Sequence, residues 1–164
     1  ETPEEGSPRE RTPESLGKRE RLKAWVQEMA PEQYPRMHFP ERRQYSFRAF
    51  EALEAAYDYG VDFEFKTALY DLMWNEERDI GQVDTLVAAG ERVGIDPAEM
   101  RAALVDHSYA ERALDAVNGA RRIGITSTPT IFLGRTRING WHYYEVLQSV
   151  MEQQGVRARE AVPS

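Results

Sequence analysis

The sequence predicts a mixed fold, α/β in class and α+β in the order of its elements: a series of amphipathic helices, then one two-stranded hairpin. Three observations predict it. Apolar residues recur at spacings of three and four through the region before residue 122, which is the period of a helix face. Beyond it the pattern changes to short β-branched and aromatic runs, Thr130 to Leu133 and Thr136 to Ile138, parted by Gly134-Arg135. Glycine at the first loop position suits a type II′ hairpin. Finally, Pro129 stands at the mouth of the first run. Proline cannot donate to a sheet ladder, so it belongs at the first residue of a strand or at an edge. Thr128-Pro129 is therefore a candidate for a fixed cis peptide bond. The plain alternative is a strand-opening proline in a stable hairpin.

Residues 1–14, rich in Glu, Pro, Arg and Ser, read as a mobile or loosely docked leading segment. Leu16 to Ala30 is expected as a helix carrying Leu22, Val26 and Met29, after which Pro31, Pro35 and Pro40 enforce an irregular connection. Ser46 is placed to cap a helix whose Phe47, Phe50, Leu53 and Tyr57 share a face, and Gly60 ends it. Asp62 is placed to cap the next, with Phe65, Leu69, Leu72 and Met73 aligned. These aromatic faces are expected in the core. The polar turn Asn75 to Asp79 precedes a helix from Val83 to Val93, stopped by Gly94. Asp96-Pro97-Ala98-Glu99 combines an N-cap, a proline at the first helical position and a glutamate able to reach back. Ser108 opens a helix to Arg122, in which Gly119 costs about 1 kcal/mol relative to Ala. Asn139-Gly140 turns the chain into a last helix bearing Tyr143, Leu147, Val150 and Met151. The expected organisation is thus a leading segment (1–14), a helical region (15–122), a closing strand–strand–helix unit (123–155) and a tail (156–164).

A chain of 164 residues can bury one real core. Its 30% charged and 41% hydrophobic residues are ordinary for a soluble globular protein. The formal charge of −7 argues against a general nucleic-acid partner, because phosphate contact needs surplus Lys and Arg. That charge is unevenly placed, with six Arg against three Glu in residues 118–164. No window approaches the roughly 18 apolar residues of a membrane span. With zero cysteine there is no disulfide, thiolate metal site or Cys nucleophile in the chain. The first residue is Glu1 rather than Met and no apolar leader follows it, so the chain reads as processed or as part of something longer, with a cytoplasmic location expected.

The first predicted strand is apolar from Ile131 to Leu133 without alternation, as in a sheet covered on two faces. A lone hairpin is marginal in water, so this one requires partner strands. Residues 37–45 are too charged to supply one and contain Pro40. The partners are expected upstream of Glu1 or on another chain. Other chemistry is hard to assemble. His38, His107 and His142 have no ligand spacing, so no metal site is expected. Glu76, Glu77 and Asp79 read as a solvated turn rather than a catalytic carboxylate pair. Ser127 and Thr128 lack a nucleophile elbow or a placed His and Asp.

The run Gly124-Ile-Thr-Ser-Thr-Pro-Thr-Ile-Phe-Leu-Gly, followed by Tyr144-Glu-Val-Leu, resembles the closing ββα unit of DsbA-like thioredoxin-fold proteins. Arg43-Gln-Tyr-Ser-Phe-Arg-Ala, Asn75-Glu-Glu-Arg-Asp-Ile-Gly and Val93-Gly-Ile-Asp resemble the FrnE-like branch, the predicted dithiol–disulfide isomerases. The resemblance implies a thioredoxin-like fold with an all-helical insertion. It also implies a first strand–helix–strand unit, bearing C-x-x-C or a related pair, ahead of Glu1. No catalytic residue is then expected in this chain. What carries over is the loop of Ser127, Thr128 and Pro129, which in the family lies against the dithiol and holds an extended substrate segment. Asn139-Gly-Trp-His-Tyr departs from the small residues and proline of relatives, making Trp141 and His142 a candidate pocket edge.

The resemblance implies a thiol–disulfide oxidoreductase or isomerase acting on disulfide- or thiol-containing proteins or small molecules. No cofactor is expected, nor a nucleic-acid or membrane partner; an oligomer is compatible with the sequence. A second reading is a redox-inactive relative that binds extended peptides or a partner. A third is a kappa-like glutathione-dependent isomerase or transferase, with glutathione as its partner.

Overall fold

Alanine sets the packing of the first part of the chain. In helix α2 (Phe47–Asp58) the buried side chains are Ala49, Ala52, Ala55 and Ala56 with Glu51 between them. Small side chains let neighbouring helix axes approach closely, and α3 (Asp62–Trp74), α4 (Val83–Arg92) and α5 (Pro97–Val105) all pack with α2 into one cluster. Phe65, Leu72, Leu86, Met100 and Leu104 fill it and are 0–2% exposed. The expected aromatic faces are corrected here. Phe50 is 45% and Tyr57 64% exposed, because the alanine row, not the aromatic row, faces the other helices. Phe65, Leu69 and Leu72 do enter the core as expected.

The computed structural model describes residues 2–9 and 11–156; the predicted tail from 157 onward lies outside the described residues. The chain forms two compact units, one running to Asp115 and the other starting at Ala116. In the first, strand β1 (Ser7–Pro8) pairs antiparallel with β2 (Arg42–Arg43). The leading segment and the charged 37–45 stretch therefore do form a strand pair, of two residues each, with Arg42 and Arg43 both exposed. Helix α1 (Pro13–Met29) begins earlier than the apolar spacing suggests, because the Thr12 hydroxyl accepts the Ser15 N–H and Pro13 occupies the first turn. Its expected apolar face is not a core face: Leu22 is 49% and Met29 63% exposed.

Two cap assignments also change. Ser46 precedes α2 but its side chain makes no cap bond, and Asp62 is the first residue of α3 rather than its cap. Asp62 instead pairs with Lys66 one turn on, at 3.3 Å. Asp96 does cap α5, its carboxylate accepting the N–H groups of Ala98 and Glu99 at 2.8 and 3.1 Å. Glu99 does not reach back; it accepts the Tyr59 hydroxyl instead.

Helix α6 (Ala110–Arg122) contains the boundary between the units. Leu114, expected on its apolar face, is 48% exposed, and Ala113 is the buried residue. The second unit continues with β3 (Thr130–Leu133), β4 (Thr136–Asn139) and α7 (Tyr144–Gln153). Strands β3 and β4 pair antiparallel from Thr130 opposite Asn139 to Leu133 opposite Thr136. Gly134 has φ +59 while Arg135 stays on the negative side, as a type II′ loop needs. Tyr143 lies just ahead of α7 rather than inside it.

Candidate functional site

The loop that opens β3 is built at the end of α6. Ile125 N–H reaches back to the Ala120 carbonyl at 3.0 Å and Gly124 N–H to that of Arg121 at 2.9 Å, the paired bonds of a Schellman stop. Such a stop puts its terminal residue in the left-handed region, and Gly124 has φ +78. Arg137 of β4 locks the corner, donating from Nη1 to the Gly124 carbonyl at 2.9 Å. A Cβ on residue 124 would lie 2.0 Å from that nitrogen. Glycine is thus favoured here by backbone angle, and any Cβ would displace the Arg137 guanidinium from the corner.

From this corner the chain runs exposed through Thr126, Ser127, Thr128 and Pro129. The Thr128-Pro129 peptide is cis. The Thr130 hydroxyl donates to the Ser127 carbonyl at 2.6 Å, and Gly140 N–H donates to the Pro129 carbonyl at 2.8 Å. Among the described residues nothing hydrogen-bonds the Thr128 amide or carbonyl. The Gly140–Pro129 bond fixes the phase of the hairpin ladder. In an antiparallel pair bonded and non-bonded positions alternate, so the amides and carbonyls of Thr130 and Phe132 point to the outer edge of β3. No described strand pairs with that edge.

The same bond brings Gly140, and with it Trp141 and His142, next to the proline loop. The structure therefore gathers Ser127, Thr128, Pro129, Trp141 and His142 at the open end of one hairpin. Trp141 is half exposed and stacks edge-to-face on Tyr143, with ring centroids 4.6 Å apart. His142 Nε2 lies 3.0 Å from the Asn139 carbonyl, so that ring nitrogen is engaged by its own turn rather than by Ser127 or Thr128. The loop offers backbone groups and hydroxyls to an extended segment; it holds no thiol, and the chain has no cysteine.

One polar pair escaped the sequence reading. Glu51, only 1% exposed, holds His107 Nδ1 at 3.1 Å, and His107 adopts φ +51. The available signal was a carboxylate sitting in the alanine row of α2. The acidic turn reads as expected: Glu76 pairs with Arg92 at 2.8 Å and Glu77 with His38 at 3.2 Å, at the surface. No group of three or more potential metal ligands exists among the described residues.

Residues 2–152 match the model of the DSBA-like thioredoxin domain. The chain is also similar to the uncharacterized protein YwbO of Bacillus subtilis, 30% identical over 118 residues, covering 70% of this chain and 59% of that protein. It is similar to the Na(+)/H(+) antiporter NhaA 1 of Salinispora arenicola as well, 31% identical over 107 residues, covering 65% of this chain and 16% of that protein. The matched stretch thus spans less than two thirds of either relative. No described helix of this chain is long and apolar enough to cross a membrane.

These matches and the helix-rich unit ahead of a ββα hairpin define a thioredoxin-fold protein with a helical insertion. The chain belongs to the DSBA-like thioredoxin-domain family.

Proposed function

We propose that this chain is the substrate-positioning part of a FrnE-like thiol–disulfide oxidoreductase or isomerase. The observation that carries the reading is the exposed Ser127-Thr128-Pro129 loop, with the Thr128 amide and carbonyl open beside an unpaired β3 edge. Backbone groups so arranged take an extended polypeptide by strand-type hydrogen bonds. The redox step is attack of a thiolate on a substrate disulfide through a mixed disulfide. With zero cysteine, the attacking thiolate in this reading comes from residues outside these 164. The substrate class is a disulfide-containing protein or small molecule.

A disulfide reductase assay and a binding experiment test this together. The chain alone is expected to give no turnover above the no-protein background. An extended peptide is expected to shift the amide resonances of Ser127 to Leu133, and Phe132→Pro, which removes an outward N–H without touching the ladder, is expected to weaken binding more than Phe132→Ala does. Turnover by the cysteine-free chain, or peptide shifts confined to α2–α5, would overturn the reading.

The lack of cysteine favours a second reading, a redox-inactive relative that uses the same loop for peptide or partner binding. Flanking coding sequence separates the two. A strand followed by C-x-x-C or S-x-x-C supports the oxidoreductase, the S-x-x-C form pointing to glutathione use. A sheet without cysteine supports the binder.

A further inference from the structure

The excess of acidic residues lies in the part of the chain before residue 118, yet basic side chains converge there on one cleft. It lies between α1, the Phe39–Arg43 segment and the end of α3, within the first unit, and has a volume of about 480 Å³, the size of a small-molecule site. Its apolar wall is Leu16, Leu22, Phe39 and Trp74, the two rings meeting edge-to-face at 5.7 Å. Its cations are Arg9, Arg11, Lys18, Arg19, Lys23 and Arg43, against the carboxylates of Glu20 and Glu41.

Tracing each carboxylate shows which cations remain. Arg11 takes Glu41 at 2.5 Å, Lys18 takes Glu14 at 2.7 Å and Lys23 takes Glu20 at 3.2 Å. Arg19 lies 4.0 Å from the already engaged Glu41. Arg9 and Arg43 pair with no carboxylate among the described residues; Glu10 is outside them. Backbone carbonyls instead orient two of the guanidiniums. Arg9 Nε donates to Pro40 at 3.0 Å and Arg19 Nη2 to Phe39 at 2.6 Å, fixing direction without neutralising charge. Burial, then the charges of Arg19 and Arg43, hold the Arg9 pKa below its ordinary value, so these three cations crowd one another. A guanidinium fork matches carboxylate or phosphate bidentately, and an anion seated there relieves the repulsion.

We infer that this cleft binds a small organic anion, a carboxylate or phosphate on a flat apolar body, with Arg9, Arg19 and Arg43 on the anionic group and Phe39 and Trp74 on the body. The inference does not rest on the reading of the hairpin loop. Titration of the full chain with 2-naphthyl phosphate, 2-naphthoate, inorganic phosphate and 2-naphthol by calorimetry tests it. At least one naphthyl anion is expected to bind about tenfold or more tighter than inorganic phosphate and 2-naphthol, with affinity falling as salt rises. Which of the two anions wins assigns the head group. The Arg19→Gln/Arg43→Gln double variant is expected to lose about tenfold or more, whereas Arg121→Gln/Arg122→Gln is expected to bind as the wild type does. Equal affinity for 2-naphthol, or an unaffected Arg19→Gln/Arg43→Gln variant, overturns the inference. On the wild-type chain, the Trp74 indole resonance is expected to move on titration; movement of Trp25 or Trp141 with Trp74 unmoved overturns it without recourse to any variant.

Discussion

Glu51 illustrates what a single buried charge demands of its surroundings. Its carboxylate is 1% exposed and faces the His107 ring at 3.1 Å. Removing the partner of a buried polar group leaves its desolvation uncompensated, so His107→Ala is expected to cost about 1–3 kcal/mol in urea unfolding. Adding Glu51→Leu to that variant should recover most of the loss, since replacing both partners by apolar groups can be near neutral. No recovery would mean that the pair is not what the site needs. Asp58 carries a pH-dependent effect. Its pKa is lowered chiefly by the hydrogen bond from Arg112, at 2.6 Å, with Tyr109 adding a second. A carboxyl depressed in the folded state stabilises above its unfolded value of about 3.9 and loses that contribution as pH falls through the folded value. Arg112→Gln should therefore flatten the acid limb, with urea midpoints at pH 5 and pH 3 differing less than in the wild type. Parallel limbs would remove Arg112 as the cause.

Caps show why some elements were legible and others were not. Asp96-Pro97 was readable because carboxylate and ring both act within three residues, and the Asp96 bonds to Ala98 and Glu99 are local. Ser46 offered the same residue type without the geometry: it sits in the helical region of backbone angles and makes no cap bond. Asp96→Ala is accordingly expected to cost about 1 kcal/mol and Ser46→Ala a few tenths at most, compared by denaturant midpoints. Equal losses would show that neither cap is local. The same contrast runs through the candidate site. Pro129 announces itself because its ring restricts its own backbone, and Gly124 because it tolerates the positive φ that other residues avoid. The hold of Arg137 on Gly124 spans 13 residues and has no local mark. Gly124→Ala should cost about 1–3 kcal/mol, and it should disturb the Ser127 to Thr130 amides in an NMR spectrum while leaving α2–α5 unmoved. The basic cleft was equally hidden, since Arg9, Arg19 and Arg43 lie on separate stretches, after β1, in α1 and in β2.

Across the molecule the two units differ in how much they bury. The first gathers Phe65, Leu72, Leu86, Met100 and Leu104 into one cluster. From Ala116 onward, Ile138 is the one buried hydrophobic among the described residues, while Ile123, Phe132, Trp141 and Tyr144 are 47–68% exposed. Hydrophobic patterning foretold the hairpin, because Ile131, Phe132 and Leu133 run together in β3 and Ile138 follows in β4; it misplaced the helical core, because alanine carries little weight in such patterns. Apolar burial is the main favourable term in folding, so local opening should be easiest where least is buried. Native-state hydrogen exchange is expected to show α2–α5 amides opening only with the whole unit and the inward β3–β4 amides, Ile131 and Ile138 included, exchanging about 100-fold faster or more. An extended peptide seated on the β3 edge should slow Thr130 and Phe132 selectively, since their N–H groups point outward. Hairpin protection equal to that of α2–α5 without any peptide would show that the second unit is complete in itself, and the reading of its edge as a docking strand would then fail.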